Sequence, residues 1–116
     1  MVSATSGTYP TFGANFRLVL RDCVSAVRLL NKSTIDNGKK MASDPAFNLA
    51  AQLVAAQLNY TAGAGKTPVA TTAINQAVLL LGKYNFNGIT HDKISATDAA
   101  TMNSLAKILD DYNNNW

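Results

Sequence analysis

The 116 residues suit a single domain, long enough to bury a core without disulfide staples or a structural metal. Only 15% of the chain is charged against 47% hydrophobic, so Asn, Gln, Ser and Thr must dress most of the surface, a balance that points to a secreted or cell-surface setting. Ten basic against seven acidic groups is too mild an excess for an electrostatic nucleic-acid binder, a single cysteine excludes an internal disulfide, and no apolar run reaches the ~20 residues of a membrane span.

Residues 1–13, MVSATSGTYPTFG, are uncharged and mix Ser, Thr, Gly and Pro with Tyr9 and Phe12. They are expected to form an extended lead-in with both aromatics tucked onto the domain. The stretch lacks the apolar core of a signal peptide, so if the protein is exported this chain is expected to be its mature part. From Ala14 to about Asn31 the period becomes helical. Phe16, Leu20, Cys23, Val27 and Leu30 share one face, and Arg17, Arg21, Arg28 and Lys32 share another stripe. Cys23, inside this pattern, is expected as a small buried hydrophobe. The polar NKSTIDNGKK run ends the helix and leads a loop to Ser43.

Ser43-Asp44-Pro45 reads as a helix start: an Asp or Ser oxygen can accept from the first free amides, and proline suits the first helical position. The segment that follows, PAFNLAAQLVAAQLNY, carries no charge and is apolar around most of its circumference, with Asn48, Gln52 and Asn59 on one narrow stripe. It is expected to be the central helix, buried on several sides. TAGAGK interrupts it. Thr67-Pro68 then opens VATTAINQAVLLLG, whose face of Val69, Ala70, Ala73, Ile74, Ala77, Val78 and Leu81 should be buried, with Gly82 as the stop. KYNFNGITHDKI reads as a loop turning at Asn87-Gly88. Ser95 to Asp98 cap a last helix that presents Met102, Leu105, Ile108, Leu109 and Tyr112 and ends near Tyr112, leaving 113–116 as a frayed tail. The expected fold is all-α: one helical domain over 14–112, a small bundle of about four helices around a buried hairpin of the two charge-free ones.

Motifs of reactive chemistry are weak. GAGKT at Gly63–Thr67 looks like the end of a phosphate-binding loop, but Tyr60 and Thr61 stand where the leading glycine belongs and a helix, not a strand, precedes it. Asn87 to Asp98 has suitable ends for a calcium loop, yet Ile89 and His91 occupy ligand positions and Asp92 replaces the glycine. Asp111, Asn113 and Asn115 repeat only the opening spacing of such a loop. No calcium site and no cofactor are expected. His91 is the lone histidine and is expected to be solvated beside Asp92. Glutamate is absent, and no pair among the seven aspartates marks a carboxylate dyad, so an enzyme is not expected. A cleft gathering His91, Asp92 and Tyr84 would reverse that expectation.

Three pieces, NLAAQLVAAQLN, INQAVLLLGKYNFNG and LAKILDDYNNN, together cover roughly the last two thirds of the chain. They resemble a helical module found near the C-terminus of large bacterial secreted and surface proteins, after Ig-like or other β-rich repeats. The resemblance implies an extracellular location and a non-enzymatic role, and brings no catalytic residues with it.

The sequence therefore points to an interaction or structural module of a bacterial secreted or surface protein. Its partners would be neighbouring domains or copies of itself rather than nucleic acid, and its candidate contact residues are Arg17, Arg21, Arg28, Lys32, Tyr9, Phe12 and Trp116. The alternative is a self-assembling subunit of an extracellular filament or layer, with the aromatic lead-in and the NNNW tail making the contacts. A small enzyme or a nucleic-acid binder built on the Arg stripe stands behind both.

Overall fold

The computed structural model describes residues 23–61 and 68–115. Within them the chain is a bundle of four helices, α1 Cys23–Leu30, α2 Pro45–Thr61, α3 Pro68–Lys83 and α4 Ala96–Asn115. The only extended pairing among the described residues is one antiparallel bridge between Ser33 and Lys40. The all-α bundle expected from the periodicity is the observed fold. The lead-in with Tyr9 and Phe12, Arg17 and Arg21, the GAGKT run and Trp116 lie outside the described residues.

α2 is the hub. Asp44 starts it as its side chain promises: Oδ1 accepts from the amides of Ala46 at 2.8 Å and Phe47 at 3.3 Å, and Pro45 takes the first helical position. With no charge to keep in water, the helix buries Ala46, Phe47, Leu49, Ala50, Ala51, Leu53, Val54 and Ala56. It touches all three other helices.

Its broadest contact is with α4 rather than with α3, its neighbour in sequence. The polar stripe of α2 explains the preference. Asn113 donates to the Gln52 carbonyl at 3.1 Å and to Gln52 Oε1 at 2.8 Å, and accepts from Asn59 Nδ2 at 2.9 Å; Gln52 Nε2 donates to Asp110 Oδ1 at 3.3 Å. Half-buried amides need such partners, and α4 supplies them. The Asn-rich end therefore does not fray after Tyr112 as expected from sequence: α4 continues to Asn115, held by Asn113.

Two helix ends are made by non-glycine residues in the left-handed region. At the end of α1, Lys32 has φ 57°, and the amides of Ser33 and Lys32 donate to the carbonyls of Arg28 and Leu29. At the end of α3, Asn85 has φ 55°, with Phe86 and Asn85 donating to Leu81 and Gly82. Both are Schellman closures. Gly82 is thus not the stop; it lies inside α3, and Asn85, a residue that tolerates this conformation, turns the chain three positions later. The same closure brings Phe86 onto the core beside Leu81, both almost fully buried.

The visible part of α1 is rotated from the expected face. Among its described side chains Leu29 is buried, while Val27 and Leu30 are 54% and 37% exposed. The loop sets the rotation: Arg28 Nη1 donates to the carbonyls of Ile35 and Asp36, which holds that side of the helix against residues 33–40. Thr34 organises this loop from inside, its hydroxyl donating to Asn37 Oδ1 and accepting from the Lys39 amide, each at 3.0 Å.

Candidate interaction face

α3 exposes two large apolar side chains that the sequence reading did not anticipate. Its inward face, Ala70, Ala73, Ile74, Ala77 and Leu81, packs into the core as the spacing requires. Val69, expected on that face, is instead 64% exposed, and Leu79 is 58% exposed. The reason is geometric. Val78, Leu79, Leu80 and Leu81 are four successive apolar residues, and at about 100° per residue they span most of the circumference. A helix with neighbours on one side only cannot bury all four. Val69, in the first turn, lies at the mouth of the groove between α3 and α4.

Two apolar hollows, each of about 330 Å3, lie along the α3–α4 groove. Val69, Thr72, Ala73 and Gln76 of α3 with Leu105 and Ile108 of α4 line the first. Gln76, Leu79, Leu80 and Lys83 with Thr101 and Leu105 line the second. Gln76 and Leu105 belong to both, so the hollows are continuous. Val69 to Lys83 spans 14 residue steps, or roughly 21 Å of helix. Lys83 is the one charged residue lining the groove, and its ammonium is paired with Asp98 Oδ2 at 2.8 Å.

The titratable groups beside this face serve the fold. Asp98, in the first turn of α4, accepts from Lys83 and from the Tyr84 hydroxyl; its amide donates to Ser95 Oγ at 3.1 Å, the N-terminal cap. These bonds, led by Lys83 and then Tyr84, hold the Asp98 carboxyl below its ordinary value of 3.8. A depressed folded value means that the contribution is complete above the ordinary value and is lost as pH falls through the folded one. Acid unfolding of Asp98→Asn should therefore show a shallower fall in stability below pH 3.8 than the parent chain, with lower stability at neutral pH. Parallel denaturant titrations across pH 2.5–7 would check this, and identical slopes would refute it.

His91 is not solvated. Its side chain is 13% exposed, Nε2 lies 2.7 Å from Asp44 Oδ2, and Nδ1 lies 2.6 Å from the Asp92 carbonyl. The ring stacks near Phe86 and tilts against Phe47, with centroids 6.2 Å from each. The loop folds back because Asn87 Oδ1 accepts from the amides of Ile89 and Thr90, and because Ile35 N–H donates to the Gly88 carbonyl. The cleft of His91, Asp92 and Tyr84 that would signal chemistry is not formed. Tyr84 is bound to Asp98, the Asp92 carboxylate accepts from Asn85, and His91 is bound to Asp44. The two ends of the calcium-loop pattern, Asn87 and Asp98, are likewise engaged in a turn and a helix cap. Among the described residues, no three His, Cys, Asp or Glu side chains cluster as a metal site would need.

Of the contact residues chosen from the sequence, Arg28 is half-buried and anchors the 33–40 loop, and Lys32 forms the α1 closure. Arg17, Arg21, Tyr9, Phe12 and Trp116 fall outside the described residues. No described helix is long and apolar enough to cross a membrane. The chain matches no known protein family, and comparison with curated proteins and with solved structures finds none similar to it.

Proposed function

We propose that this chain is a non-catalytic interaction module of a bacterial secreted or cell-surface protein, working through the α3–α4 face. One observation carries the reading: two adjoining, mainly apolar hollows along about four turns of α3, with Lys83 as their one charged lining residue and Val69 and Leu79 exposed beside them. Exposed apolar residues scattered singly need no explanation, but a contiguous apolar stripe is the usual mark of a protein contact. The sparse charge of the whole chain and the structural engagement of His91, Asp44, Tyr84 and Asp98 support the same reading. The partner is a neighbouring domain or a second copy.

A photo-crosslinking residue at position 79 in the full chain, expressed in the producing cell, tests it. Discrete adducts in the secreted or surface fraction are expected, with none from a control at Asn103 on the solvent side of α4. A chain confined to the cytosol, or equal labelling from both positions, would overturn the proposal.

A further inference from the structure

Resting on the α3–α4 face as the contact surface, we propose that its occupant is the same face of a second copy, with the two α3 helices antiparallel and a two-fold axis at Gln76. Val69, Thr72, Gln76, Leu79 and Lys83 follow one another at spacings of 3, 4, 3 and 4, the repeat by which one helix meets another along a seam. Turned end for end and centred on Gln76, this seam sets Gln76 against Gln76, Thr72 against Leu79, and Val69 against Lys83 of the other copy.

Each of these meetings is chemically sound. A glutamine amide is both donor and acceptor, so two of them bond across a two-fold axis. The exposed Leu79 of one copy falls opposite Thr72, over the hollow lined by Val69, Thr72 and Ala73. The exposed Val69 falls opposite Lys83, over the hollow lined by Leu79 and Leu80, where it packs on the methylene stem of the lysine. The two hollows lie on either side of Gln76, so in this register each faces the other across the axis.

Charge selects the same occupant. The seam offers no acid, and its one ammonium is already neutralised by Asp98 of its own chain, so an acidic or basic partner gains no ion pair there. An uncharged helix loses least, and α3 is charge-free from Pro68 to Gly82. A seam of two heptads is at or below the ~1,200 Å2 low end of specific interfaces, the class of weak and transient contacts, so the dimer should be weak, and about 10 µM to 1 mM is the range in which to look for it.

Sedimentation of the purified full chain over that range is the test, alongside Gln76→Glu and Gln76→Lys. Gln76 is exposed, so both variants should keep the parent circular dichroism and melting profile. The parent chain should double in mass, each variant alone should associate about tenfold or more weakly because like charges then face each other, and an equimolar mixture of the two should regain the dimer. A parent chain monomeric at 1 mM overturns the proposal. So does a dimer indifferent to both substitutions, which must use another surface, or a mixture that does not recover, which excludes Gln76 from the axis. In any of these cases adducts from position 79 to a different protein would leave the module reading standing.

Discussion

Truncating Phe47 to alanine is expected to destabilise the protein by about 3–5 kcal/mol, a large fraction of the roughly 5–15 kcal/mol that holds an ordinary domain folded. Phe47 is fully buried in the first turns of α2, the helix on which the other three converge. Its ring meets the Phe86 ring edge-on, centroids 4.9 Å apart at 73°, and both rings lie 6.2 Å from the His91 ring. The loss is thus more than the transfer of one aromatic side chain. A cavity would open where α2, the α3 closure and the 84–95 loop meet, and Phe86, which is placed by the Asn85 turn, cannot follow without breaking that turn. Chemical denaturation followed by circular dichroism would check the value. A loss under 1 kcal/mol would mean that the site collapses easily and that the aromatic pair is not the pin of the core. Phe47→Leu, which keeps most of the volume, should cost markedly less.

The residues just invoked show how far the sequence could be read. Phe47 and the rest of α2 were legible because absence of charge over a whole helix leaves no face to put in water; the Asp44-Pro45 start and the Ser95 cap were legible because each rests on local chemistry within three residues. What could not be read was which helix pairs with which. The expectation that α2 pairs with α3 follows from their adjacency, yet Gln52 and Asn59 are joined to residues 54 to 61 positions away, and nothing local encodes those amide bonds. His91 failed for the same reason: beside Asp92 in a polar loop it reads as solvated, whereas its partner Asp44 is 47 positions upstream. Val69 and Leu79 did carry a signal. Four apolar residues in a row at 78–81 exceed what one buried face can hold, so at least one had to face outward, and Leu79 stands a seam's spacing from Gln76 and Thr72.

Asp44→Ala is the second substitution expected to be severe, because one carboxylate performs two tasks. Its Oδ1 satisfies the amides of Ala46 and Phe47 at the start of α2, and loss of such a cap costs typically about 1 kcal/mol. Its Oδ2 receives His91 Nε2 at 2.7 Å in a setting where the two side chains are only 18% and 13% exposed. A hydrogen bond to a charged group contributes about 1.5–3 kcal/mol, which brings the expected total to about 2.5–4 kcal/mol. Both ring nitrogens of His91 face acceptors, the carboxylate on one side and the Asp92 carbonyl on the other, so the ring makes both bonds only when each nitrogen carries a proton. Removing the carboxylate leaves that ring half-satisfied against the Phe47–Phe86 pair. Asp44→Asn separates the two tasks, since an amide oxygen still caps the helix while the charge is gone. It should fall between the parent and Asp44→Ala. A double-mutant cycle of Asp44→Asn with His91→Gln then isolates the pair. A coupling energy of about 1 kcal/mol or more is expected, and one indistinguishable from zero would show that His91 is held by its stacking on Phe86 and Phe47 rather than by the cap of α2.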